Sequence, residues 1–267
     1  MARIRLGNTE MLKYYANGCS YTWGGELFNF FYPPDGWLPG QPDHPINKRR
    51  LATVYPHHLG KKINADIVVN EALGGGSNHR IVRLTLEYFH KCILQGEDLS
   101  EYFVTIQWTE PSRWTYFNLY ENDWNNITVY NASPTYYPDI SDHAKKLKIE
   151  YYKNYHSVLL DYHYFIGHIT ALGNFFKANK IPYIFFKHTG WDAPFFEEKI
   201  IDTKDYRKIL SQYNWLHDDP LNTHMNTLNC DTVKGSHLNE KGHIQFADIL
   251  YREIVKKKLV KIKKDAI

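Results

Sequence analysis

The sequence predicts an α/β protein, a three-layer α/β/α sandwich around a mainly parallel central sheet. Three observations lead there. Short apolar runs of strand length alternate with longer stretches of helical spacing, the pattern of consecutive β-α-β units. The runs Asp66-Ile67-Val68-Val69-Asn70 and 181–187 read as short buried strands, as expected where helices cover both faces. Glycine-bearing turns follow the strands, at Gly18 and at Gly74-Gly75-Gly76.

Along the chain, Tyr14-Tyr15-Ala16-Asn17 ends a first strand that Gly18 terminates, and residues 24–31 start a helix. Residues 32–50 carry five prolines together with Gly36 and Gly40, an irregular excursion. A helix over 53–63 precedes the strand at 66–70. After the glycine loop, Ile81, Leu84, Thr85, Tyr88, Phe89 and Cys92 recur at helical spacing. The next strand spans 102–108, and Pro111 stops it. Residues 112–142, rich in Tyr, Asn, Trp and Pro, fit no period and read as an insertion with a hairpin around 124–130. A long helical stretch covers 144–180, a buried strand 181–187, a second irregular region 188–231 and a closing helix 238–258. Without internal repeats or a low-complexity linker, residues 1–267 are expected to form a single domain, with insertions at about 32–50, 112–142 and 190–230.

Composition removes several function classes. Hydrophobic residues make up 43% and charged residues 23%, a globular balance rather than a disordered one. A net charge of +3 is too mild to point to nucleic acid, and the lysine-rich end at 256–264 reads as the solvated tip of a terminal helix. Cys19, Cys92 and Cys230 form no CxxC pair, which suits a reducing compartment or simple burial. No segment resembles a signal peptide or approaches the ~18 apolar residues of a membrane span. No membrane partner is therefore expected. Aromatic residues, at 16% with 21 tyrosines and 7 tryptophans, are the compositional outlier. Such amphipathic rings suit sugar faces or protein interfaces.

The chemistry lies in three motifs far apart in sequence. Asn17-Gly18-Cys19-Ser20 closes the first strand, Asn70-Glu71-Ala72-Leu73-Gly74-Gly75-Gly76-Ser77-Asn78 follows the second, and Ser236-His237-Leu238-Asn239-Glu240 opens the last helix. In open α/β sheets, sites gather beyond the carboxyl ends of strands, so Ser20, Gly75 and Trp108 converge on one edge. A serine hydroxyl needs a base to take its proton, and histidine is the usual one. A developing oxyanion needs fixed donors, which a glycine N–H and an asparagine amide supply.

These residues resemble the SGNH (GDSL-like) hydrolases, whose Gly-Asp-Ser block is matched by Gly18-Cys19-Ser20. The family's second block, an Asn with the oxyanion glycine five residues on, is similar to Asn70 and Gly75. Its histidine block is similar to His237-Leu238-Asn239-Glu240-Lys241-Gly242-His243. The wording Gly-Cys-Ser-Tyr-Thr, Gly-Gly-Ser-Asn and Ile-Gln-Trp-Thr resembles a branch common in tailed-bacteriophage genomes. The resemblance spans residues 17–250 and implies a flavodoxin-like sandwich of SGNH-hydrolase type. Two departures stand out. Gln107-Trp108-Thr109-Glu110 replaces the family's Gly-x-Asn-Asp, so Thr109 occupies the place of the usual asparagine donor. Lys234 stands where the family has an aspartate three residues before the histidine, leaving Asp231, further upstream, as the candidate to orient His237.

The expected activity is hydrolysis of a carboxylic ester through an acyl-Ser20 intermediate, with His237 as base. Ser20, Gly75 and Asn78 would hold the oxyanion, and Trp108, Thr109 and Arg113 would line the substrate, with Trp108 either a wall of the pocket or part of the core. The resemblance and the aromatic content together make O-acetyl groups on a carbohydrate a candidate among small-molecule or carbohydrate esters, and they leave lipid and peptide substrates open. The resemblance further suggests a cytoplasmic or virion-associated protein, and it leaves the oligomeric state open. Glu110 and Arg113 face the site or, equally, form an ion pair that holds the loop. His57-His58 and His217-Asp218-Asp219 with His224 offer metal-ligand types without a His-Glu-x-x-His frame, so neither metal nor cofactor is expected. The competing reading is a non-catalytic relative, a binding or virion-associated module that keeps the scaffold.

Overall fold

The computed structural model describes residues 11–25, 27, 45–119, 123–127, 142–188, 191–223, 228–233 and 237–261. In chain order these form β1 (Lys13–Asn17), α1 (Ser20–Trp23), α2 (Pro45–Thr53), α3 (Tyr55–Lys62), β2 (Ile67–Asn70), α4 (Asn78–Leu94) and β3 (Tyr102–Trp108). A hairpin of β4 (Trp114–Asn118) and β5 (Asp123–Ile127) follows, then α5 (Asp142–Asn154), α6 (Val158–Ala178) and β6 (Tyr183–Lys187). The chain closes with α7 (Ala193–Glu197), α8 (Thr203–Leu210) and α9 (Glu240–Lys257).

The central sheet has the order β2-β1-β3-β6 and is parallel throughout. A single bridge between Phe185 and Trp215 extends it past β6. The chain runs outward from β1 to β2 and returns to β3 on the other side of β1. That reversal opens a crevice at the carboxyl ends of β1 and β3, where ligands bind in such sheets.

Alternation along the strands sorts the core into two layers. Tyr15, Val104, Ile106, Trp108 and Phe185 face one way, against Ile81 and Phe89 of α4 and Phe165, Ile169 and Phe176 of α6. Tyr14, Ala16, Phe103, Ile184 and Phe186 face the other way, against Tyr55 and Leu59 of α3 and Phe246, Leu250 and Ile254 of α9. The result is the three-layer α/β/α sandwich, with α4 and α6 on one side and α3 and α9 on the other.

Several elements differ from the sequence expectation. The strand at β2 is an edge, and Ile67 and Val68 are exposed rather than buried. The helix expected over 144–180 is two helices. Ser157 Oγ accepts the Leu160 N–H and caps α6, a side-chain bond that apolar spacing does not reveal. Within the region 188–231, expected to be irregular, the described residues hold α7, α8 and a 3-10 turn over Pro220–Asn222, the latter two opened by Asp202 and Asp219 as caps. The hairpin sits at 114–127, earlier than expected, and α2 is regular within the proline-rich excursion. Gly24, expected to begin a helix, ends α1 with φ 88°. Residues 28–44, which carry half of that expected helix and most of the excursion, lie outside the described residues. Among the described residues no helix is long and apolar enough to cross a membrane.

Candidate active site

The turn after β1 is built from three strand ends. Asn17 Oδ1 accepts the Gly18 N–H at 2.8 Å, while its amide donates to Tyr15 Oη, Thr85 Oγ1 and the Ile81 carbonyl, tying β1 to α4. Gly18 must be glycine, because a Cβ there would lie 2.5 Å from Thr22 Oγ1 and 2.7 Å from Gln107 Cβ. Gln107, near the end of β3, accepts from Thr22 N at 3.0 Å and Thr22 Oγ1 at 2.6 Å, and donates to Cys19 Sγ at 3.3 Å. Asn70, at the end of β2, donates to the Thr22 carbonyl at 3.2 Å. Ser20 opens the single turn of α1, so its hydroxyl stands on a segment braced from β2 and β3.

The histidine arrives on a second braced segment. Thr232 and Leu238 form an antiparallel bridge, and Val233 N donates to the His237 carbonyl at 2.8 Å. Asn239 Oδ1 accepts the Gly242 N–H at 2.8 Å and caps α9. The two segments meet where His237 Nε2 lies 2.7 Å from Ser20 Oγ, across 217 residues of sequence. That is hydrogen-bond reach for a nucleophile and its base. The Tyr21 ring stacks on His237 with centroids 4.4 Å apart, and its centroid lies 5.1 Å from that of His188. Gly25 leaves the pair room, since a Cβ there would lie 3.0 Å from Ser20 Cβ and 3.2 Å from His237 Nε2.

The glycine loop lies against this turn. Leu73 N donates to the Gly18 carbonyl at 3.3 Å, Gly76 N closes back on the Leu73 carbonyl, and Gly75 takes φ 71°. Asn78 is used differently from expectation. Its amide donates to the Thr109 carbonyl at 2.9 Å and its Oδ1 accepts the Thr109 N–H at 3.0 Å, so it pins the loop after β3 rather than aiming at an oxyanion. Thr109 is fully buried. Trp108 belongs to the core, edge-on to Phe165 and Phe185, and is no wall for a substrate.

Of the two alternatives for Glu110 and Arg113, the ion pair is the one formed. Arg113 Nε donates to Glu110 Oε2 at 2.9 Å, and His188 Nε2 lies 3.5 Å from Glu110 Oε1. Burial pushes the Glu110 carboxyl up, but His188 and Arg113 outweigh it and hold it at about 2. Burial also pulls His188 down. Arg113 thus clasps the loop after β3 through Glu110. Asp231 does not reach the histidine ring, because its carboxylate takes Gln245 Nε2 at 3.2 Å and Lys241 Nζ at 2.8 Å. Lys234 and Ser236 lie outside the described residues.

Sequence reasoning missed Gln107, Tyr21, Gly25 and His188. Gln107 carried a signal, since an amide inside an apolar strand must find partners once buried. His243 packs away from the site, with Nδ1 accepting the Tyr55 N–H at 3.1 Å and burial pulling it down to about 3. Asp218 pairs with Lys256 and Lys257, and His57 packs edge-on to His58. Among the described residues no three His, Cys, Asp or Glu side chains converge as metal ligands.

The chain is similar in structure to an esterase from Pseudoalteromonas sp., at 12% identity and a TM-score of 0.45, over 92% of this chain and 98% of that one. It is similar to a GDSL-like lipase from Bacteroides thetaiotaomicron, at 12% identity and 0.42, over 92% and 88% of the two chains. A member of the lipolytic protein G-D-S-L family from Veillonella parvula is similar at 9% identity and 0.40, over 92% and 97%. No curated protein matches the chain in sequence. One family model matches residues 40–220, which include the glycine loop and β3 but neither Ser20 nor His237. With more than half of the sequence matched, the chain belongs to DUF6071, a family of unknown function.

Proposed function

We propose that this protein is a serine hydrolase of carboxylic esters, of the SGNH type that the motif order resembles. The observation that carries the reading is the 2.7 Å approach of His237 Nε2 to Ser20 Oγ. His237 takes the Ser20 proton as Oγ attacks the ester carbonyl carbon. The tetrahedral oxyanion is held by backbone N–H groups of Ser20, whose place in the first turn of a helix leaves its N–H without an intrahelical acceptor, and of Gly75 on the adjoining loop. Collapse expels the alcohol, which takes the proton back from His237. Water, deprotonated by the same ring, then releases the acid from the acyl-serine. Asn78 supports the site from behind by fixing the Thr109 backbone.

Turnover of short acyl 4-nitrophenyl esters by wild type, Ser20→Ala and His237→Gln tests this. Hydrolysis in wild type that falls by about 10³-fold or more in both variants, with circular dichroism unchanged, supports it. Equal rates in all three proteins, together with no labelling of Ser20 by a fluorophosphonate, would leave a binding module in its place.

A further inference from the structure

A cavity of about 250 Å³ lies beside this site, and its wall carries two arginines. It is lined by Trp23, Arg50, Asn70, Glu71, Leu73 and Arg80, among others. Trp23 stands three residues after Ser20 in α1, a spacing that puts Cβ atoms about 5–6 Å apart. Leu73 is bonded to the Gly18 carbonyl, and Asn70 to that of Thr22. The cavity therefore opens between the nucleophile turn and the glycine loop, on the carboxyl edge of the sheet.

We infer that this cavity is a subsite for a carboxylate carried by the ester that Ser20 attacks, an inference that rests on the hydrolase reading for its link to turnover. Arg50 is 4% exposed and fixed by neutral acceptors, Asn47 Oδ1 and the Trp23 carbonyl, with its guanidinium 4.7 Å from the Trp23 ring centroid. Arg80 is only partly covered. Among the described residues its guanidinium donates one hydrogen bond, to the Glu71 carbonyl at 2.9 Å. A guanidinium has five N–H donors in a planar fork that matches a carboxylate, so Arg80 keeps most of its fork for a ligand.

The one acidic lining residue among those described, Glu71, has its carboxylate engaged by Tyr15 Oη at 2.9 Å. Two guanidinium groups against one carboxylate leave the wall net positive. Burial lowers both arginine pKa values to about 10, a strain that a bound anion relieves. The volume is below the roughly 300–1,000 Å³ of pockets that hold whole ligands. It suits one arm of a substrate, with methylenes against Leu73, Leu84 and Trp23 and the carboxylate on Arg80.

Calorimetric titration of glutarate, with glutaramide as the uncharged control, tests the subsite on the whole chain. Glutarate should bind wild type saturably and glutaramide should not. Arg80→Gln should weaken binding by about 10-fold or more, the worth of a charge-assisted bond, and Arg80→Lys should restore part of it. Leu84→Glu, which sets a carboxylate in the cavity while keeping Arg80, should weaken it likewise and covers a misfolded Arg80 variant. Glutarate should also inhibit wild-type hydrolysis of 4-nitrophenyl butyrate competitively. No saturable binding to wild type, the same affinity in Arg80→Gln and Leu84→Glu as in wild type, or purely noncompetitive inhibition would each overturn the inference. Absence of ester turnover alongside binding that Arg80→Gln abolishes would remove the hydrolase reading and keep the anion site.

Discussion

Gly25→Ala is a probe of the proposed Ser20–His237 pair at the scale of one methyl group. The new Cβ would lie 3.0 Å from Ser20 Cβ, 3.1 Å from His237 Cδ2 and 3.2 Å from His237 Nε2. Carbon atoms in ordinary contact sit about 3.5–4.0 Å apart, so the ring or the serine must retreat by roughly 0.3–0.8 Å. The Ser20–His237 hydrogen bond at 2.7 Å would stretch toward about 3.0–3.5 Å, where hydrogen bonds weaken steeply. Misplacement by about 1 Å costs on the order of 10²-fold in rate, so kcat/KM for a short acyl ester should fall about 10- to 100-fold, or about 1.4–2.8 kcal/mol. Gly25 is not in the left-handed region, so alanine adds no backbone strain there. Ester kinetics and a thermal melt on the same preparation are the assay. Full activity in Gly25→Ala would refute the pairing of Ser20 with His237 in the working enzyme. A collapse of the melting temperature would instead refute the claim that the substitution acts on the pair alone.

Three further outcomes follow from the described contacts. Asn78→Leu strands the buried N–H and C=O of Thr109 and should lower stability by about 2–4 kcal/mol in urea titration; an unchanged midpoint would show the clamp to be dispensable. Gly167, inside α6 with nothing beyond its chain neighbours and its own helix backbone within 4 Å of where an alanine methyl would sit, should as alanine raise stability by about 0.5–1 kcal/mol and leave ester turnover as in wild type. His243 and His168 are pulled by burial to about 3 from an ordinary 6.5, so they are neutral when folded and take up protons on unfolding. The unfolded state binds more protons between pH 6.5 and 3, so stability is complete above 6.5 and falls with acid by up to about 1.4 kcal/mol per pH unit for each ring. His243→Gln should flatten that slope in melts taken between pH 7 and 4, and an unaltered slope would show that His243 is not its source.

Much of the sandwich was legible because its strands are short apolar runs with little competing pattern. Tyr102–Trp108 and Tyr183–Lys187 pair where the runs fall, and α4 follows the spacing of Ile81, Thr85, Phe89 and Cys92. Local side-chain caps were the first thing missed. Ser157 and Asp202 begin helices through single hydrogen bonds, which no hydrophobic period records. Motif order singled out Ser20 and His237, and in the structure His237 Nε2 lies 2.7 Å from Ser20 Oγ. The roles of Asn78, Trp108 and Arg113 were not legible, because each depends on a partner chosen in space. Thr109 claims the Asn78 amide, Phe165 and Phe185 enclose Trp108, and Glu110 takes Arg113. A polar residue near a site is as often part of its frame as of its lining, and sequence spacing does not separate the two.

The frame also explains how Asp231 serves the histidine without touching its ring. The Asp231 carbonyl accepts the Asn239 N–H at 3.1 Å, and its own N–H donates to Gln245 Oε1 at 2.7 Å. One helical turn of α9 is pressed so close that a Cβ on Gly242 would lie 1.9 Å from the Asp231 oxygen. With Val233 holding the His237 carbonyl and Asn239 capping α9, the loop is fixed on both sides of the histidine. Backbone bonds of this kind fix where the imidazole enters the site. The stacked Tyr21 ring limits its tilt. The exposed Lys241–Asp231 pair adds little energy, so the backbone bonds and the close helix approach do most to hold Asp231, Val233 and His237 in place. Placement of the His237 ring then comes from these bonds and from Tyr21, and Asp231 contributes through its backbone carbonyl and N–H rather than through its carboxylate.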